Sequence, residues 1–338
     1  MVQKDPPSIK TISIALPHRK GVNGGNGRTA ERYERFLREA GFRVDLVGPG
    51  EEPRGEVLIA LHARRSLETV SRFRSRVPVG GCCVVLTGTD LYQDLPQGSL
   101  EVREGMEKAD LLVGLHPGVY SDVPEEYRAK LRVLVQSSEA SPFRVRPEGL
   151  KAGVKVALVP CNLREVKDPL LPARASGLLP SSSQFEVFLV GEELEAGWEE
   201  RTRKEERENP RFHWLGGRPH QEALALIAGS DVVVIPSKSE GAANVLSEAI
   251  ACGVPVLGTD IPGNRGILGE EPGPFFPVGD EEGLAGLLLR FENDPAFRKS
   301  LAQRVLSRKN LVSPQKEKEG LLSLAQELGA SLPLGLEG

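Results

Sequence analysis

Glu240 and Glu248, separated by seven residues within SKSEGAANVLSEAIACGVPVLGTDIPGN (Ser237 to Asn264), are the groups with the clearest chemical use. Carboxylates accept hydrogen bonds from hydroxyls, and between these two lie Gly241, Ala242, Ala243 and Asn244, which leave backbone N–H groups open. The spacing predicts a helix over 242–252, with Val245, Leu246, Ala249 and Ile250 as its apolar stripe. Gly253 and Pro255 end it. At about 100° per residue, Asn244 and Glu248 share a flank about 130° from the centre of that stripe. Glu240 stands in the loop before the first turn. The N–H groups and dipole of a helix start suit a phosphate, with about 0.3–2 kcal/mol from the dipole. Two carboxylates flanking a phosphate seat would suit the hydroxyls of a nucleotide sugar. Taken alone, the pair more often marks a capped helix with a solvated acidic face. The strand-like DVVVIPS before it and the buried run GVPVLGTD after it favour a ligand site.

A second set of groups lies in the first half of the chain. The first apolar run, TISIAL, feeds into PHRKGVNGGNGRTAER, where Gly24, Gly25 and Gly27 allow close backbone approach and Thr29 opens a helix. Asn26 sits inside that loop. LIALHARRS ends another run with His62, Arg64 and Arg65, which reads either as a solvated basic turn with Ser66 as N-cap or as an anion seat. Arginine offers forked donors to phosphate oxygens, which is the chemistry of the second reading. VVLTGTDLY ends a third run with Thr87, Gly88, Thr89 and Asp90, which could ligate a small acceptor or simply make the turn.

These groups need a scaffold, and the patterning supplies one. Apolar runs of strand length (TISIAL, RVDLVG, EVLIALH, CCVVLT, DLLVGLH, RVLVQSS) alternate with helical patterns. The alternation pauses at SEASPFRVRPEGLKAG, which reads as a linker, and resumes with VKVALVP, FEVFLVG, RFHWLGG, DVVVIPS, VPVLGTD and PFFPVG. Near-continuous apolar strands between helices indicate parallel sheets covered on both faces. The expectation is an α/β protein of two doubly wound Rossmann-like domains facing a cleft, one over 1–140 and one over 151–290. A helical tail over 291–338 would follow. The chain's 338 residues are enough for two such cores. With 43 Lys and Arg against 47 Asp and Glu, no field for nucleic acid or a membrane surface is expected. No run is long enough for a membrane span, no signal-peptide core opens the chain, and a cytoplasmic location is expected. The four cysteines (Cys82, Cys83, Cys161, Cys252) form no C-x-x-C and the five histidines no H-x-x-x-H, so neither a metal site nor a cofactor is expected.

The stretch around Glu240 and Glu248 resembles the donor site of retaining family 4 glycosyltransferases of GT-B fold. NGRTA, LIALHARRS, VVLTGTDLY, QSS, NLREVKDP, WLGGRPH, EGAANV and IPGNRGILG, in that order, resemble the set found in selenosugar synthases of selenoneine biosynthesis. LIALHARRS and VVLTGTDLY are the most diagnostic of these. The resemblance implies an enzyme that joins selenophosphate to UDP-N-acetylglucosamine or UDP-glucose and releases UDP. It implies Glu248 on the ribose, Glu240 at the sugar, Lys167 on the diphosphate, and WLGGRPH, with Gly217, facing the base. The family's usual Arg falls at Asn162, a departure that leaves open whether Arg164, two residues on, takes its place. In the first domain it implies that Gly25, Asn26, Gly27, Thr29, His62, Arg64, Arg65, Thr87, Gly88 and Thr89 surround the selenophosphate. Other readings remain open: an ordinary hexosyltransferase with a hydroxyl acceptor, and a nucleotide-sugar-binding protein without activity. A dinucleotide-binding dehydrogenase is disfavoured by the missing G-x-G-x-x-G. The sequence carries no signal for oligomeric state.

Overall fold

A computed structural model describes residues 11–19, 24–269 and 273–330. The chain divides into two compact units, one of Met1–Gln136 with Pro314–Gly338 and one of Ser137–Ser313.

The first unit runs β1 (Thr11–Ala15), α1 (Gly25–Glu39), β2 (Arg43–Val47), β3 (Val57–Leu61), α2 (Leu67–Arg76), β4 (Gly81–Val85), α3 (Leu100–Lys108), β5 (Leu111–Gly114) and β6 (Leu131–Val133). Its strands form one parallel sheet in the order β2-β1-β3-β4-β5-β6. β3 is buried at every position, as a strand covered on both faces must be. The order reverses between β1 and β3, and at such a point the two loops leaving the strand ends diverge and open a crevice.

The second unit runs β7 (Lys155–Pro160), α4 (Leu171–Gly177), β8 (Phe185–Val190), α5 (Trp198–Glu208), β9 (Phe212–Trp214), α6 (His220–Gly229), β10 (Val232–Ile235), α7 (Asn244–Cys252), β11 (Val256–Thr259), α8 (Pro262–Leu268), β12 (Phe275–Phe276), α9 (Glu281–Asn293) and α10 (Pro295–Arg308). Its parallel sheet has the order β12-β11-β10-β7-β8-β9, reversing between β7 and β10. The core on one side of that sheet joins Val159, Phe185, Leu189, Phe212 and Val234 to Leu284, Leu288 and Phe291 of α9.

A last helix, α11 (Pro314–Glu327), belongs to the first unit. Glu317, buried, takes Arg32 of α1 in a two-point ion pair, Nε to Oε2 at 2.6 Å and Nη2 to Oε1 at 3.0 Å. A forked guanidinium matches a carboxylate in this geometry, which orients the helix as well as holding it. Burial and the neighbouring Glu317 raise the Tyr33 phenol well above its ordinary value.

Candidate functional site

In the second unit the loops leaving β7 and β10 meet across the reversal of strand order. The β7 loop carries Asn162, Arg164, Glu165 and Lys167; the β10 loop carries Lys238 and Glu240. Lys238 donates its backbone N–H to Val166 O at 2.8 Å. Two ion pairs tie the same loops, Lys167 to Glu240 and Lys238 to Glu165. Lys167 and Glu240 keep side-chain exposures of 24% and 14%, enough to leave the pair within reach of a ligand. Cys161, just past β7, has its thiol pushed up to about 12 by burial, so it stays protonated beside them.

The helix after this loop begins two residues later than the spacing predicts. Ala242 and Ala243 lie outside α7, and Ala243, with φ −67° and ψ 130°, is its extended N-cap residue. An alanine cannot cap with a side chain, so Ala243 itself makes no cap hydrogen bond. Gly263 of α8 lies against the same loop; a Cβ there would stand 2.3 Å from Glu240 O and 3.0 Å from Gly241 O. Glycine is therefore required for that close approach. Gly253 takes φ +73° after α7 and closes it as the sequence expects.

Glu248 of α7 faces His220, the first residue of α6, with Nε2 to Oε1 at 2.9 Å. That partner was not foreseen, since His220 stood in the sequence only as the end of WLGGRPH. Gly217 passes close to Glu192, whose Cβ would lie 3.1 Å from a Cβ at that position. Asn162 Oδ1 accepts from the backbone N–H of Glu192 at 3.2 Å, so this side chain ties the β7 loop to the β8 loop. Arg164 turns to Glu195, Nε to Oε1 at 3.3 Å. Trp214 packs against the core and donates Nε1–H to Gly191 O at 3.0 Å.

The first unit places its predicted groups differently. His62, one residue past β3, is 1% exposed and adopts φ 79°, in the left-handed region that a non-glycine residue rarely enters. The sequence pattern expects His62 to join Arg64 and Arg65 in contacting an anion; here its ring is turned inward. Its Nδ1 pairs with Asp90, which is wholly buried at the start of a π-helical turn over Asp90–Asp94. Asp90 also accepts from the backbone N–H groups of Ala63 (3.0 Å), Arg64 (3.3 Å) and Thr87 (3.1 Å), and from the Thr87 hydroxyl (3.0 Å). One carboxylate thus pins the loops after β3 and β4 together. That network offsets the strain at His62. Thr89 Oγ1 stands 3.5 Å from His62 Nε2.

Arg64 and Arg65 are exposed, Arg64 with Nε 2.9 Å from Asp94 Oδ2. Ser66 occupies the N-cap position of α2 but gives its hydroxyl to Leu61 O at 2.7 Å instead of capping. Gly25, Asn26 and Gly27 form the first turn of α1, and Gly88 lies between Thr87 and Thr89 in the β4 loop. Thr29 is buried, donating to Gly25 O at 3.0 Å and accepting from Gln136 Nε2 at 2.7 Å. His62, Asp90 and Asp94 bring ligand atoms within 4.8 Å of one another. The backbone and hydroxyl donors on Asp90 make this a hydrogen-bonded anchor, a poor donor set for a cation. Among the described residues no helix is long and apolar enough to cross a membrane.

Comparison with known proteins agrees with this architecture. Residues 141–308 match the family described as "Glycosyl transferases group 1". A segment of 157 residues is 26% identical to N-acetyl-alpha-D-glucosaminyl L-malate synthase of Bacillus anthracis, covering 46% of this chain and 41% of that protein. The match thus spans less than half of that curated relative. Among solved structures, sucrose-phosphate synthase from Thermosynechococcus elongatus has a TM-score of 0.77 at 17% identity, over 94% of this chain and 99% of that one. Anabaena HepE, solved in complex with UDP-glucose, has a TM-score of 0.69 at 14% identity, over 94% and 98%. These likenesses are of fold: two parallel-sheet, Rossmann-like α/β units of the GT-B class.

Proposed function

We propose, from the match of residues 141–308 to group 1 glycosyl transferases, that the protein transfers a glycosyl group from a UDP-sugar to selenophosphate, forming a selenosugar. The observation that carries the donor half is the Lys167–Glu240 pair, set at the reversal of strand order and just before the start of α7. On donor binding the pair would be exchanged. Lys167 would move to the diphosphate, joined by Arg164 and the N–H groups at the start of α7, and Glu240 would take a sugar hydroxyl. Glu248, held by His220, would accept from the ribose hydroxyls.

The bond from the anomeric carbon to the UDP oxygen breaks with its electrons going to the diphosphate, so charge builds where these cations stand. Stabilising that charge is the largest rate term expected here. Selenium supplies the pair that forms the new bond to the anomeric carbon, and the product keeps the phosphoryl group on selenium. A selenophosphate selenium is already nucleophilic, so no general base is required. The motifs LIALHARRS and VVLTGTDLY support this acceptor over a sugar hydroxyl, and Arg64 and Arg65 offer exposed guanidinium groups to the anion.

The experiment is UDP release from UDP-N-acetylglucosamine or UDP-glucose, with and without selenophosphate. Release that requires selenophosphate supports the reading. Release that proceeds equally well with a neutral hydroxyl acceptor, and not with selenophosphate, would replace it by an ordinary hexosyltransferase.

A further inference from the structure

A second imidazole stands at the same sheet edge as His62. His116 lies two residues past β5, in a sheet that sets β5 beside β4 and β4 beside β3. It is 1% exposed. Its Nε2 is 2.6 Å from the Tyr92 hydroxyl, and that hydroxyl is 2.8 Å from Asp122 Oδ2. A carboxylate only accepts, so the phenol proton goes to Asp122 and Tyr92 must accept from Nε2–H. This fixes the tautomer and leaves Nδ1 with a bare lone pair.

Nδ1 is buried and has no hydrogen-bond partner among the described residues. Bracing the turn that carries Tyr92 would explain Nε2, but it leaves Nδ1 unexplained, and a buried polar atom without a partner calls for a reason. The atom faces Gly118: a Cβ built there would lie 3.5 Å from Nδ1, and Gly118 itself is exposed. Nδ1 is closed to solvent, so a small ligand would reach it only by displacing the turn at Gly118, and would there meet a nitrogen that can only accept.

We propose that His116 Nδ1 accepts a hydrogen bond from the proton-bearing atom of a small oxyacid acceptor held at the carboxyl ends of β3 to β5. The inference rests on the acceptor reading given above and adds what selects the acceptor's protonation state. Arginines attract any anion, whereas a bare lone pair repels a fully ionised oxygen and accepts only from P–OH or Se–H. Burial holds His116 below its ordinary pKa, against the opposing pull of Asp122, and so keeps Nδ1 available. Burial and the Asp122 carboxylate hold the Tyr92 phenol far above its ordinary value, so the chain of bonds that sets the tautomer persists.

Two variants separate this role from bracing. In His116→Gln the amide nitrogen reproduces the donor to Tyr92 but offers nothing at Nδ1. In Gly118→Ala a methyl group fills the space before Nδ1 and leaves the Tyr92 bond alone. Each should raise the KM for selenophosphate by at least about tenfold, the size of one lost hydrogen bond of this kind, with UDP affinity and melting temperature unchanged. A KM within about twofold of wild type in both variants overturns the inference. Nitrogen-15 NMR of histidine-labelled protein reads the same atom without turnover, using thiophosphate as the probe. The His116 Nδ1 resonance should be that of an unprotonated nitrogen and should move on titration; a protonated or unmoved Nδ1 overturns the inference. A wild-type enzyme inactive with selenophosphate would instead overturn the acceptor reading, and the titration would still decide for or against His116.

Discussion

Each unit ties a pair of neighbouring strand-end loops together, the second at its reversal of strand order (β7 and β10) and the first one strand away from its own (β3 and β4), with opposite electrostatics. In the second unit the loops meet through ion pairs that are partly open to solvent: Lys167 with Glu240, Lys238 with Glu165, and near them His220 with Glu248. In the first unit they meet through a buried carboxylate, Asp90, and a strained, buried histidine. A part-exposed pair contributes little to stability and can be exchanged for ligand contacts at small cost. A buried, saturated carboxylate fixes geometry and cannot be exchanged. On the proposed reading, the second unit would take a donor that arrives with its own charges, and the first a small acceptor that finds its partners already in place.

The largest effect expected from this contrast is on stability. Asp90→Ala strands His62 and three backbone N–H groups, and should cost about 3–5 kcal/mol in urea unfolding, as breaking a buried pair does. Glu240→Gln removes a part-exposed partner and should cost less than about 1 kcal/mol. Equal losses in the two variants would erase the distinction between the units.

Next comes turnover. Lys167→Ala should slow the reaction by about 100-fold or more, the usual size for a lost donor at a developing anion, while UMP, which lacks the leaving diphosphate, binds almost normally. Unimpaired turnover would mean that the pair with Glu240 is merely structural.

Donor affinity follows. Glu248→Ala should weaken UDP by about 1.5–3 kcal/mol in calorimetry, the range for hydrogen bonds to a charged group. Unchanged affinity would leave Glu248 as the partner of His220 alone.

The smallest effect belongs to Arg164. Its guanidinium already has Glu195 at 3.3 Å, so Arg164→Ala should slow turnover by less than about tenfold. A loss as large as that of Lys167→Ala would make Arg164 the full replacement for the arginine expected at Asn162.

Much of the fold was legible because both sheets are parallel and covered on two faces, so that strands such as VLIAL and VVVI stand out as unbroken apolar runs. The helix carrying Glu248 was legible from its stripe and its Gly253 stop. Its start was misplaced because alanine favours a helix, while the close packing of the loop against Gly263 holds Ala242 and Ala243 outside it. The site partners were less legible. Lys167 finds Glu240 and His220 finds Glu248 across loops set by strand order, a property of the sheet that no local spacing encodes. The sequence groups His62 with Arg64 and Arg65 as an anion seat because the three fall within four residues at a strand end. The left-handed backbone of His62 turns the ring toward Asp90, and only the positive φ reveals this. Tyr92 and Asp122 stand 30 residues apart and meet through a hydroxyl, which the sequence gives no means of pairing.

Mass spectrometry of the products formed from mixed UDP-sugars with selenophosphate, thiophosphate and phosphate tests the central claim most directly. The account predicts a single class of product, the sugar of one UDP donor carried on selenium, with UDP released in equal amount and no product from neutral hydroxyl acceptors. A glycoside formed on a hydroxyl, with selenophosphate left unconsumed, would contradict it.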